Sequence, residues 1–115
     1  MDRLMIPLLV MYIVSGLLLS GLAVPLICRK IPPNRWYGFR VRRTLENEAV
    51  WYAVNEFSAR RLLWVGIVTV AAAITFSFLT TSIDRYATAL ATVVLTGLAV
   101  TVLQSFRYLR TYTKV

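Results

Sequence analysis

The stretch from Leu4 to Cys28 reads LMIPLLVMYIVSGLLLSGLAVPLIC, without a single charge. Two more uncharged runs follow, Leu62 to Ile83 and Tyr86 to Phe106. A bilayer core asks for about 20 predominantly apolar residues per helix. Each run meets that length, and together they take more than half of the 115 residues. The chain is 58% hydrophobic and only 16% charged, against roughly 25% charged in soluble domains. The expected fold is an all-α membrane protein with three transmembrane helices. A soluble enzyme, a DNA-binding protein and a disordered chain are excluded.

The formal net charge is +8, but it is not spread evenly. Arg29, Lys30, Arg35, Arg40, Arg42, Arg43, Arg60 and Arg61 lie between the first two runs, and Arg107, Arg110 and Lys114 follow the third. With three spans all of these share one side, leaving only Arg3 and Arg85 on the other. The positive-inside rule then predicts a multi-pass protein with its N-terminus out and its C-terminus in. The basic side meets anionic lipid headgroups, so the charge is read as a membrane feature and not as a nucleic-acid footprint. The first run is longer than the apolar core of a signal peptide, about 7–15 residues, and is taken as a true span. There is no histidine, and Cys28 is alone. An intramolecular disulfide is ruled out, and the usual general base and metal ligand are missing. No catalytic residue, metal site or cofactor is expected.

The chain reads as a single membrane domain, with spans over about 4–27, 62–79 and 86–106 and a polar segment over 29–61. Pro7 falls in the first turn of span one, where proline is tolerated, and Pro25 near its end, where it stops or kinks the helix. Gly16 and Ser20, beside Ser15 and Gly21, form a strip of small residues that lets another helix approach closely. Spans two and three are joined tightly around 80–85 and form an antiparallel hairpin. Thr88, Thr92, Thr96 and Thr101 line one side of span three, where their hydroxyls can bond to carbonyls of their own helix. No charged residue falls inside a span.

The distinctive segment begins Ile31-Pro32-Pro33-Asn34-Arg35-Trp36-Tyr37-Gly38-Phe39-Arg40. Two prolines forbid helix and favour an extended or turning chain. Aromatics suited to the headgroup zone alternate with arginines suited to phosphate. Thr44 is a candidate N-cap, and Glu46 and Glu48 would complement the dipole of a following helix. No glycine or proline occurs from there to Gly66, so an interfacial helix of about 35 residues is expected to run from Leu45 straight into span two, about 50 Å long. On its first half Glu48, Trp51, Asn55 and Ser58 or Ala59 share one face, and Val50, Val54 and Phe57 another. The Pro-Pro loop is expected to fold back on the first face, with an Arg40–Glu48 salt bridge. The candidate ligand- or partner-binding residues are Asn34, Arg35, Trp36, Tyr37, Gly38, Arg40, Thr44, Glu48, Trp51 and Asn55. They serve either to hold the loop or to form a cytoplasm-facing pocket for a lipid phosphate, peptide or partner.

Pro32 to Arg40, followed by Thr44, Glu48, Trp51, Asn55 and Phe57, resembles the motif of the SdpI family of small bacterial membrane proteins. That family's helix usually carries glycine where this chain has Ala59. The resemblance implies residence in the bacterial cytoplasmic (inner) membrane and a non-enzymatic role in toxin immunity or signalling. The partner would then be a peptide toxin or a regulatory protein met through the cytoplasmic basic-aromatic segment. The alternative is a small accessory or structural subunit of a larger membrane complex. A lipid-acting enzyme, with Glu48 as base and Arg40 or Arg42 as phosphate clamp, or a transporter, ranks behind both.

Overall fold

Four helices account for most of the computed structural model, which describes Arg3 and residues 5–113. They are α1 (Met5–Ile27), α2 (Arg42–Glu46), α3 (Glu48–Leu79) and α4 (Ile83–Thr113). The expected start of span one at Leu4 and the basic Lys114 lie outside the described residues. Three helices, α1, α3 and α4, are long and apolar enough to cross a membrane. The molecule is a rod 53 Å long. A helix of 32 residues such as α3 spans about 48 Å, against an apolar core of about 30 Å. Its first turns therefore stand at the polar end of the rod, beside the loop between α1 and α3.

The centre of the bundle is α3, which packs on α1 on one side and α4 on the other. By contrast α1 and α4 touch little. The small-residue strip of α1 meets α3 at Gly66. A Cβ on Gly16 would lie 2.7 Å from the Gly66 carbonyl, and one on Gly66 would lie 2.6 Å from the Gly16 carbonyl. The two backbones approach closely because neither residue has a side chain, which is how small residues drive helix packing in lipid. At the far end Met5, Ala73, Tyr86 and Leu90 form a buried cluster, with the Tyr86 hydroxyl donating to the Ala73 carbonyl (2.9 Å). Thr92 and Thr101 donate to the Thr88 and Gly97 carbonyls of their own helix.

Pro25 lies inside α1, two residues before its end. The helix stops in a Schellman turn: Lys30 N–H bonds to the Pro25 carbonyl (3.0 Å) and Arg29 N–H to that of Leu26 (3.2 Å). Arg29 takes the left-handed position, φ +58°, that glycine usually fills. Between α3 and α4, Thr80 Oγ1 accepts from Ser82 N–H (3.1 Å) and Ser82 Oγ from Arg85 N–H (3.4 Å). These bonds close the expected tight hairpin.

Three boundaries differ from expectation; the smallest difference is that α4 starts at Ile83, ahead of the expected Tyr86. The long helix starts at Glu48, not Leu45, because Asn47 is extended and caps it, accepting from Val50 N–H (3.2 Å). The preceding turn of helix, α2, is a separate element, and Thr44 lies within it. The last span continues past Phe106 to Thr113. Leu109 is buried against Val50 and Val54, with Tyr108 beside them, so the helix is held well beyond its uncharged run.

Candidate functional site

The loop from Ile31 to Val41 is organised by short side chains that replace missing backbone partners. Asn34 Oδ1 accepts from the N–H groups of Trp36 (2.8 Å) and Tyr37 (2.7 Å), while its Nδ2 donates to the Pro32 carbonyl (2.8 Å). This Asx turn reverses the chain directly after the two prolines. Gly38 follows with φ +114°. A Cβ there would fall 2.7 Å from Asn55 Oδ1 and 3.1 Å from the Trp51 ring, so both the backbone angle and the space require glycine.

Two side chains of α3 then hold the loop. The Trp51 indole N–H donates to the Ile31 carbonyl (2.8 Å). Asn55 Oδ1 accepts from Phe39 N–H (2.5 Å), and its Nδ2 donates to the Trp51 carbonyl (3.0 Å) and, at 3.4 Å, to that of Phe39. Trp51 and Asn55 are 0% and 1% exposed. Thr44, fully buried, closes the other end: its hydroxyl accepts from Val41 N–H (3.0 Å) and reaches the carbonyls of Phe39 (3.0 Å) and Val41 (2.8 Å). A buried polar group left unbonded costs about 1–3 kcal/mol, so these bonds specify the loop conformation. Tyr37 packs against Ala23, Leu26 and Ala59. Burial pushes its phenol above the ordinary value of 10.0. Ala59 is 1% exposed and packs against Ala23 and Leu26 of α1.

The candidate residues thus divide. Asn34, Tyr37, Gly38, Thr44, Trp51 and Asn55 build the loop. Arg35, Trp36, Arg40 and Glu48 lie on the surface, and Trp36 is 88% exposed. The expected Arg40–Glu48 salt bridge is not formed. Phe39, the neighbour of Arg40, is tied to Asn55, and Glu48 lies two turns before Asn55, about 10 Å along the helix axis. Among the described residues Glu46 pairs with Arg42 (2.9 Å), and Glu56 with Arg29 (3.4 Å) and Arg60 (4.0 Å). These pairs reach solvent and have small energetic weight. Glu46 ends α2 instead of serving the first turn of α3; only Glu48 does that.

Several contacts at this end, within α3 and between α4 and the rest, were not singled out in the sequence. Phe106 meets Phe39 edge-on (5.1 Å), Tyr108 stacks on Phe57 (4.3 Å), and Arg61 sits over the Phe57 ring (4.8 Å). Ser58 donates to Ser105 (2.6 Å), which donates to the Thr101 carbonyl (2.7 Å). The spacing of Phe106, Leu109 and Tyr112 is a helical apolar pattern that could have revealed the continuation of α4. Among the described residues no three His, Cys, Asp or Glu side chains cluster as a metal site needs.

Comparison with known proteins places this geometry. Residues 30–105 match the profile of the SdpI/YfhL protein family. The match starts just after α1 and takes in the loop, α2, α3 and most of α4. No curated protein and no solved structure gives a significant match.

Proposed function

The chain belongs to the SdpI/YfhL protein family, and from that premise we propose that it is a non-enzymatic binding protein of the bacterial inner membrane. It lies with its N-terminus out and its basic end in the cytoplasm. There it meets a peptide toxin or a signalling protein, in the manner of immunity or signal transfer. The observation that carries this proposal is Trp36. A large aromatic that is 88% exposed stands at the tip of a loop whose backbone is otherwise bonded down, between Arg35 and Arg40. Tryptophan and arginine are the residues that most often dominate binding energy at interfaces. A loop already ordered before binding loses little entropy on contact. The net positive charge of the same end favours an acidic partner segment and speeds its approach.

A photo-crosslinking amino acid placed at position 36 in living cells tests the proposal. A discrete protein or peptide adduct is expected, and it should weaken when Arg35 and Arg40 are both replaced by glutamine. Adducts to lipid alone would mean that Trp36 is a headgroup anchor, and the proposal would fall.

A further inference from the structure

Because α1 and α4 touch little, a cleft of ≈ 280 Å³ remains between them, with α3 as its floor and the loop as its roof. From Asn55 to Leu62 on the floor it descends about 10 Å along the bundle. Leu22 and Leu26 of α1 form one wall and Val102 and Ser105 of α4 the other. Leu22 and Val102, about half exposed, are its lips. Both belong to helix surfaces that face hydrocarbon if the three helices span a bilayer.

Its chemistry is graded from the basic end inward. Phe39 lines the cleft, and its ring meets that of Phe106. On the other side of Phe106 is a notch lined by Arg42, Arg43 and Arg110. Below the ring pair stands Tyr37, whose phenol oxygen is, among the described residues, the one buried side-chain polar atom without a hydrogen-bond partner. Below that the lining is mostly aliphatic, and the hydroxyls among it, Ser58, Thr101 and Ser105, already donate to one another or to their own helix. A buried hydroxyl with no partner calls for an explanation. A cation notch, then one uncommitted hydroxyl donor, then a largely apolar slot open to the side matches the order of phosphate, ester carbonyl and acyl chain.

We infer that this cleft is a binding site for one anionic phospholipid. Its acyl chain lies between α1 and α4, an ester carbonyl accepts from the Tyr37 hydroxyl, and the phosphate is held at the arginine notch. The site is separate from Trp36, which does not line the cleft, so it stands or falls independently of the proposed partner binding.

Native mass spectrometry of the full chain in mild detergent, titrated with phosphatidylglycerol or phosphatidylcholine, tests it. One phosphatidylglycerol per chain is expected, bound about fivefold or more tighter than phosphatidylcholine. Arg42→Gln with Arg110→Gln should erase that preference. Tyr37→Phe should weaken both lipids by about fivefold. Val102→Trp and, separately, Leu22→Trp should block the cleft and remove the one-lipid species. Both positions are exposed, so helicity by circular dichroism should be unchanged. Retention of the one-lipid species by both tryptophan variants would overturn the assignment. So would a co-purifying peptide that is lost in Val102→Trp, since the cleft would then be a peptide site.

Discussion

Replacing Asn55 by alanine should release the loop from α3 while leaving the helices in place. Asn55 is 1% exposed and is the acceptor for Phe39 N–H at 2.5 Å. The variant loses that bond, about 1 kcal/mol net, and leaves the Phe39 amide without an acceptor, about 1–2 kcal/mol more. Alanine's better helix propensity returns about 0.5 kcal/mol. The net is about 2 kcal/mol, which corresponds to a rise of about 30-fold in the open population of the loop. Amide hydrogen exchange in detergent micelles reads this directly. Exchange at Phe39 should accelerate by that order. Tyr37, whose amide is held by Asn34 within the loop, should respond less, and amides in the middle of α3 should not change. If Phe39 exchange stays within about threefold of the original, the Asn55 bond does not hold the loop. If α3 accelerates equally, the effect is global and the local account is wrong.

Three further outcomes follow from the same geometry. Gly38→Ala should lower thermal stability by about 2 kcal/mol or more, since φ +114° strains any side chain and the new Cβ meets Asn55 and Trp51. Gly66→Ala should cost about 1–3 kcal/mol by wedging α1 from α3, whereas Gly21→Ala, which meets nothing within 4 Å, should be neutral or gain up to about 1 kcal/mol; thermal unfolding in detergent compares the two. Tyr37 also predicts a pH dependence. Its folded pKa is raised above 10.0 by burial, so the folded state holds its proton more tightly than the unfolded chain, and the associated stability is present below pH 10 and lost as pH rises above it. The melting temperature should fall more steeply above pH 10 in the natural protein than in Tyr37→Phe, and parallel profiles would contradict this assignment.

Glu48 and Trp51 show how much of the site could be read in one dimension. Helical spacing puts both on the stripe with Asn55, and the structure buries Trp51 and Asn55 but leaves Glu48 exposed. Spacing reports which residues share a helix face. It does not report how far along that face the loop reaches, and here the loop stops at Trp51. Thr44 shows a similar limit. A threonine before a helical run is a sound cap, yet the cap that forms is Asn47, because a short helix intervenes and the chain turns between the two. Leu109 and Tyr108 lay in a tail read for its charge alone, although their apolar side chains find α3.

What the sequence by itself determined was the number and approximate place of the membrane-spanning helices, the gathering of positive charge at one end, and the family motif. The first two follow from solvation, which acts on each segment separately: about 20 apolar residues require hydrocarbon whatever their neighbours do. Only the tertiary structure decided which motif residues build and which are presented. The same holds for α1 and α4 leaving a cleft beneath the loop. Those outcomes depend on Trp51 and Asn55 of α3 finding carbonyls and amides far away along the chain, at Ile31 and Phe39, and on the absence of side chains where Gly16 meets Gly66. Pairing and close approach are properties of chain segments brought together in space, which local patterns of apolar and polar residues do not encode.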